Sequence, residues 1–170
     1  LVISCTENLI NMQQIESQKL FIDSSSIEVK NRLYPVFLKL ENMHTLIVGA
    51  GAIGLEKLYS LLNNCPDASI TIVAEKVSED VRGFAKKFEN AIIKEKIFDV
   101  DDLDGKDLVI AATSSMTPIV TEPLSPGATC ISIGSFSPNR SEVSERALQA
   151  ASRVIVDDVA TAQQQCGAIY

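Results

Sequence analysis

The stretch that most constrains the fold covers residues 45–57 and reads TLIVGAGAIGLEK. Its apolar run, Leu46 to Val48, predicts a buried strand of a parallel sheet covered by helices on both faces. The glycines that follow have the spacing G-x-G-x-x-G, which permits a tight turn, a close approach of a pyrophosphate to the backbone, and close packing of the next helix. A plain structural turn would use the same glycines. Their place between a strand and a helix favours a dinucleotide-binding βα unit.

This unit also predicts which residues contact the cofactor. Backbone N–H groups at the start of the new helix, together with the positive end of the helix dipole, are suited to hold phosphates. The predicted contacts with the pyrophosphate are made by Gly49, Ala50, Gly51, Ala52, Ile53 and Gly54.

Further apolar runs predict a sheet built on this unit. The predicted strands cover residues 69–74, 91–98, 107–113, 128–135 and 153–158. Helical spacing predicts a helix after the glycine loop, with Ile53, Leu58, Leu61 and Leu62 on one face, and further helices over 78–90 and 141–151, the last with Ser141 and Ser144 as candidate caps. Strands that alternate with helices predict an α/β protein with a Rossmann-like doubly wound parallel sheet in three α/β/α layers.

Three further residues are predicted to lie at the cofactor. Glu75 follows the strand at 69–74, 21 positions after Gly54, where an acid accepts hydrogen bonds from the adenosine ribose and repels a 2′-phosphate. This favours NAD over NADP. The alternative interpretation is that Glu75 only caps the next loop. Thr113 ends the strand at 107–113 and Ser114 follows it, and we expect both near the nicotinamide, where small side chains leave room for it.

Composition narrows the partners. The net charge of −7 argues against a nucleic-acid surface, and no apolar run approaches the roughly 20 residues of a membrane span. The four cysteines contain no C-x-x-C pair, and His44 is the single histidine, so neither a metal site nor a disulfide framework is expected. These features predict a cytoplasmic protein with a small-molecule substrate.

Length predicts one main domain, because 170 residues bury one good core. Residues 1–30 have no sustained periodicity and are an unassigned extension, whereas 31–170 form the NAD(P)-binding domain. Residues 31–40 alternate bulky apolar side chains around Pro35 and predict an extended segment at the sheet edge. The chain starts at Leu1 without an initiator Met, so we expect a fragment of a longer protein.

Several tempting features favour structural rather than chemical roles. The acidic run at 99–104 lacks the spacing of a calcium loop and predicts a solvated connection, and we expect Lys86, Lys87, Lys94 and Lys96 to be solvated as well. His44 lies at a strand entrance, Cys130 lies within an apolar strand, and Asp157 and Asp158 end a strand.

The middle of the chain, about half of its residues, resembles a known family. Residues 31–113 are similar to the precorrin-2 dehydrogenase family, on the segments YPVFLKLENMHTLIVGAGAIGLEK, ITIVAE and DLDGKDLVIAAT. The resemblance implies an NAD-dependent oxidation of precorrin-2 to sirohydrochlorin in sirohaem biosynthesis, with a tetrapyrrole substrate. Some members of the family also insert ferrous iron. The same resemblance implies a homodimer as a possible assembly.

The last third resembles a second family. Residues 107–170 are similar to the ornithine cyclodeaminase and mu-crystallin family, on ATSSMTP, SPGATCISIGSFSPNRSEV and SRVIVDDVATAQQQCG. This implies, as an alternative, the coenzyme domain of an imine or amino-acid reductase. Two resemblances in one chain predict a chimera or an unfamiliar natural branch, and a third reading is a non-catalytic or engineered Rossmann module.

Neither resemblance supplies a catalytic acid. The first family has a catalytic Asp after its fifth strand, where residues 134–138 contain no acid, and the second has an Asp at the position of Phe136. The catalytic residues are therefore left unassigned, and whether the chain is an active dehydrogenase stays open. We expect NAD binding with little turnover.

Overall fold

The computed structural model of the chain describes residues 2–4, 38–135 and 137–167. Most of the predicted extended segment at 31–40, and also Phe136, lie outside these residues. Within them the strands are β1 Val2–Ser4, β2 His44–Val48, β3 Ser69–Ala74, β4 Ala91–Glu95, β5 Leu108–Ala111, β6 Thr129–Ser132 and β7 Arg153–Ile155. The helices are α1 Ala52–Asn64, α2 Glu79–Ala85, α3 Glu145–Gln149 and α4 Val159–Gln165, with a short 3₁₀ helix at Val100–Leu103.

Five adjacent parallel strands, from β4 at one edge to β6, form most of one seven-stranded sheet with the order β4-β3-β2-β5-β6-β1-β7. The chain moves outward from β2 to β3 and β4, and then returns to the other side of β2 to form β5 and β6. The direction of winding therefore reverses between β2 and β5, which is where open α/β sheets bind ligands. The predicted Rossmann-like α/β fold is confirmed.

The far edge of the sheet contains a strand that periodicity did not indicate. Strand β1, from the extension left unassigned above, lies antiparallel between β6 and β7, with Ile3 opposite Cys130 on one side and Val154 on the other. Strand β7 therefore pairs with β1 rather than with β6, and it is shorter than the predicted strand at 153–158. Three residues are too few to show a period of two.

The core lies on both faces of the sheet because the central strands are buried on both sides. In β2, Ile47 packs with Leu58 and Leu62 of α1, whereas Leu46 and Val48 pack on the opposite face with Val120, Val143 and Ala147. All three β2 side chains are at most 3% exposed, as the continuous apolar run predicted.

The predicted helices at 78–90 and 141–151 are both shorter in the structure. Helix α2 ends at Ala85, and the chain then tightens into turns in which Lys87 N donates to Phe84 O and Phe88 N to Ala85 O, both within 3.1 Å. Helix α3 begins only after Ser144, whose hydroxyl accepts a hydrogen bond from Ala147 N. Ser141 does not cap this helix.

The reason lies in tertiary pairing. The hydroxyl of Ser141 donates to Val143 O, and Val143 forms a parallel bridge with Val120. Extended pairing therefore replaces the first turn of the predicted helix.

The acidic run at 99–104 is not a simple solvated connection. Asp99 caps the 3₁₀ helix, and Asp102 is buried, where its carboxylate lies 2.7 Å from Lys96 Nζ and 3.6 Å from Lys94 Nζ. Burial opposes ionisation of Asp102, but the hydrogen bond from Lys96 and its other partners outweigh burial and lower its pKa. Lys94 and Lys96 are exposed, as predicted, and they also pair with Asp102. No helix among the described residues has the length and apolar character to cross a membrane.

Candidate functional site

A cleft of about 1050 Å³ opens at the carboxyl ends of the parallel strands. It lies at the point where the winding reverses, between the loops that follow β2 and β5. Eight of the predicted cofactor residues line it, namely Gly49, Ala50, Gly51, Ala52, Ile53, Glu75, Thr113 and Ser114. The ninth, Gly54, is buried beneath the loop.

The three glycines of the loop have different tasks. Gly49 has a φ of 106°, and a Cβ there would collide with the carbonyl oxygen of Ala112, which belongs to the loop after β5. A Cβ on Gly54 would collide with the carbonyl oxygen of Gly49, so Gly54 brings α1 against the strand. Gly51 has open space where its Cβ would be, on the side of the cleft. Only Gly51 therefore leaves room for a ligand.

The start of α1 suits an anion. Gly51 is the N-cap residue, and no side chain caps the helix there. The first N–H groups of a helix lack partners within the helix, and they lie at the positive end of its dipole. The loop therefore fits the pyrophosphate of a dinucleotide, as its spacing predicted. Ile53, which is 45% exposed, faces the cleft instead of the core face shared by Leu58 and Leu62.

The wall after β3 carries Glu75. This acid is exposed, directly follows β3 and lines the cleft. Its loop is anchored next to it, because Val77 N donates to Glu95 Oε1 at 3.2 Å and Ser78 N donates to Ala50 O at 3.3 Å. Arg82 of α2 pairs with the same Glu95 carboxylate at 2.5 Å, and its hydrogen bond is the main cause of the lowered pKa of Glu95. The carboxylate of Glu75 is thus presented from a tethered loop.

The opposite wall is held by a residue that sequence reasoning missed. Glu142 is completely buried, and its carboxylate accepts hydrogen bonds from Thr113 N at 2.6 Å, Thr113 Oγ1 at 2.9 Å, Ser132 Oγ at 2.8 Å and Gly134 N at 2.6 Å. It thereby joins the loops that follow β5 and β6. A glutamate in a polar stretch is predicted to be exposed. Its donors lie 8 to 29 residues away, so no local sequence pattern indicates that it is buried.

The other ionisable candidates lie away from the chemistry. His44 begins β2 at the amino end of the sheet, where its backbone N–H donates to Asp107 Oδ2 at 2.7 Å. Asp158 caps α4 by accepting from Thr161 N at 2.7 Å, and the hydrogen bonds from Thr161, first from its side chain and then from its backbone N–H, lower the pKa of Asp158. Burial raises the pKa of the Cys130 thiol to about 12, which makes it an inert apolar side chain. The buried position expected of Cys130 is confirmed, and the structural role favoured for His44 stays a prediction.

Comparison with known proteins bears directly on this cleft. Residues 36–117, which contain the glycine loop, Glu75 and Thr113, match the NAD_binding_7 family, described as "Putative NAD(P)-binding". The chain contains an NAD-binding domain. The match coincides with the part of the sheet that forms the cleft, from β2 to the loop after β5.

Two groups of curated relatives share this domain. A glutamyl-tRNA reductase from Thermoplasma volcanium is 29% identical over 130 residues, which is 75% of this chain and 31% of that protein. A siroheme synthase from Nitrosomonas eutropha is 34% identical over 80 residues, which is 47% of this chain and 16% of that protein. The chain therefore spans less than a third of the length of each relative.

A solved structure of SirC, precorrin-2 dehydrogenase, is 29% identical and covers 49% of this chain and 40% of that one, with a TM-score of 0.44. At the level of an NAD-binding domain, the similarity to siroheme synthases agrees with the predicted resemblance. The similarity to ornithine cyclodeaminases stays a prediction. Because the glutamyl-tRNA reductase alignment covers 75% of the chain, it extends across residues 107–113, where the two resemblances meet.

Proposed function

We propose that this NAD-binding domain belongs to a dehydrogenase of the precorrin-2 type, which oxidises a tetrapyrrole with NAD. The main support is that most of the residues that line the cleft lie within 36–117, the part of the chain that matches the NAD(P)-binding family, and that siroheme synthases are among the relatives. Bound NAD would supply the hydride acceptor for such an oxidation.

Each wall of the cleft has a task in this proposal. The N–H groups at the start of α1 hold the pyrophosphate, and Gly51 leaves the space for it. Glu75 accepts hydrogen bonds from the adenosine ribose. Thr113 and Ser114 lie beside the nicotinamide, where Thr113 is kept in place by Glu142. The NAD-binding domain is proposed to cover residues 31–170, with β1 as an added strand of the same sheet.

The reaction also releases a proton, and the cleft offers little help with it. The described acids that line the cleft, Glu75 and Asp99, both follow strands on the ribose side. Glu142 is close to Thr113, but four donors occupy its carboxylate. We therefore propose that the domain binds NAD well and that the chain alone is a weak catalyst.

We also propose a cytoplasmic location and a homodimer. The described cysteines, Cys65, Cys130 and Cys166, are free thiols, which suits a reducing compartment. Sedimentation analysis of the purified chain tests the dimer.

Cofactor selectivity tests the proposed function. Calorimetric titration of the chain should give a dissociation constant for NAD at least about tenfold below that for NADP, because Glu75 repels the 2′-phosphate. Glu75→Gln should narrow this ratio, whereas Glu89→Gln, a change of an exposed acid that does not line the cleft, should leave it unchanged. Equal affinities for both cofactors in the unaltered chain would remove Glu75 from the ribose site.

A further inference from the structure

The charged side chains of the cleft are unevenly placed. Among the described residues that line it, Glu75, Lys76 and Asp99 all follow β3 and β4, on one side of the glycine loop. On the other side, beyond β6, the charged lining residue is Arg140. It shares that end of the cleft with Thr113 and Ser114, where we place the nicotinamide and hence the reacting carbon of the substrate.

The backbone at Arg140 is held in place. Arg140 N donates to Ser137 O at 2.9 Å. Its carbonyl oxygen packs against Gly167, where a Cβ would lie 2.6 Å from that oxygen. Two residues later, Glu142 bonds to both the N–H and the hydroxyl of Thr113. The loop that carries Arg140 is therefore anchored to the same wall that the nicotinamide would contact.

A guanidinium at this position suits a carboxylate. Arginine stays charged at all physiological pH values, and its planar fork donates two parallel hydrogen bonds to a carboxylate. The phosphates of the cofactor bind at the start of α1 in the proposed function, so they do not need Arg140. The chain as a whole carries a net charge of −7, so an anionic substrate needs a local cation to enter.

We propose that Arg140 binds a carboxylate of the substrate and orients it at the Thr113 end of the cleft. The identity of the substrate rests on the proposed function, in which the carboxylate belongs to a side chain on the rim of a tetrapyrrole. A small dicarboxylic acid presents the same chemistry, so the experiment separates the two sources.

The test uses the 170-residue chain with and without saturating NAD. Uroporphyrin III, a stable macrocycle with carboxylate side chains, is titrated by fluorescence, and glutarate is titrated by calorimetry. Arg140→Ala should raise the dissociation constant of uroporphyrin about tenfold to 100-fold, the value of one charged hydrogen-bonded pair. Arg140→Lys keeps the charge and loses the planar fork. Its dissociation constant for uroporphyrin should lie between those of the unaltered chain and Arg140→Ala. The dissociation constant for NAD should not change.

The matched control is Arg146→Ala, because Arg146 is an exposed arginine of α3 that pairs with Glu122 and does not line the cleft. It should bind uroporphyrin as the unaltered chain does. If Arg140→Ala fails to fold, as judged by circular dichroism, the Arg140→Lys result decides instead. Unchanged uroporphyrin and glutarate binding in the Arg140 variants, or an equal loss in Arg146→Ala, overturns the proposal, and so does an unaltered chain that binds neither acid.

Two results separate this proposal from the function it rests on. Binding of glutarate that depends on Arg140, without binding of uroporphyrin, keeps the carboxylate site and rejects the tetrapyrrole. Uroporphyrin binding that depends on Arg140, in a chain that does not bind NAD, keeps the carboxylate site and rejects the dehydrogenase.

Discussion

The two walls of the cleft are stabilised in different ways. The glycine loop depends on the absence of side chains, because Gly49 and Gly54 each sit against a backbone carbonyl oxygen. The wall after β5 and β6 depends on one buried carboxylate, that of Glu142, which accepts four hydrogen bonds from the end of β6 and from the loops after β5 and β6.

The difference affects both stability and chemistry. The N–H groups of the glycine loop are available to a ligand, whereas the carboxylate of Glu142 already accepts hydrogen bonds from groups of the protein. A buried carboxylate is costly to desolvate and is tolerated only when donors surround it. We infer that the first wall binds the cofactor and that the second mainly shapes the space for the substrate.

The largest expected effect concerns turnover. With precorrin-2 and NAD, we expect a rate below about 1 per second, because general acid or base assistance is typically worth roughly 10² to 10⁴ in rate and no described acid serves the Thr113 end of the cleft. The absorbance of NADH follows the reaction. A rate at or above that value would contradict this expectation and show a catalytic group outside the described lining of the cleft.

Removing the carboxylate of the second wall should be strongly destabilising. Glu142→Ala removes the buried acceptor of four hydrogen bonds, and we expect the free energy of unfolding to fall by about 3 to 5 kcal/mol. Urea unfolding measures the change. Glu145→Ala, on the exposed face of α3, is the control and should change little. A small effect of Glu142→Ala would mean that water replaces the carboxylate and that this wall is not held by it.

The first wall should show the opposite behaviour. Gly51→Val places a branched side chain in open space within the cleft, so the dissociation constant for NAD should rise at least about 100-fold while the free energy of unfolding stays within about 1 kcal/mol. Gly54→Ala is the matched change, because its Cβ meets the carbonyl oxygen of Gly49 and should destabilise the fold by about 2 kcal/mol. If Gly51→Val still binds NAD, the loop is only a structural turn.

A second buried acid sharpens the contrast through pH. The pKa of Asp102 is lowered in the folded protein, so its contribution to stability is present above its unfolded pKa and is lost as the pH falls below about 4. Asp102→Asn should therefore flatten the acid side of the stability profile, measured by thermal unfolding between about pH 2 and 6. Asp101→Asn, a change of an exposed acid next to it, should keep the slope of the unaltered chain.

The smallest effect concerns the strand that carries the glycine loop. The hydroxyl of Thr45 is buried without a hydrogen-bond partner among the described residues. Thr45→Val should leave stability unchanged or raise it by up to about 1 kcal/mol, because an unsatisfied polar group is removed at similar volume. Thr71→Val, which removes the acceptor of a 3.2 Å bond from Lys106 Nζ, should instead destabilise the fold. Differential scanning calorimetry compares the two, and equal effects would contradict this assignment.

Sequence reasoning performed best where the signal is local. The apolar run at 46–48, the glycine spacing and the β-branched run of β3 each act through near neighbours, and all three elements were predicted correctly. It performed worst where distant segments pair. The helix expected from residue 141 starts after Ser144, since Val143 pairs with Val120. The buried Asp102, paired with two exposed lysines, replaces a wholly solvated connection.

The sequence by itself determined the coenzyme half of the site, because a tight turn, a close helix and an open N-terminus depend on residues within about ten positions of one another. Only the tertiary structure decided the substrate half. Glu142 and Arg140 lie in a polar stretch without periodicity, and their surroundings come from strands that meet only when the sheet closes. A charged side chain can be buried only where the folded chain brings partners to it, and sequence periodicity does not predict which partners those are.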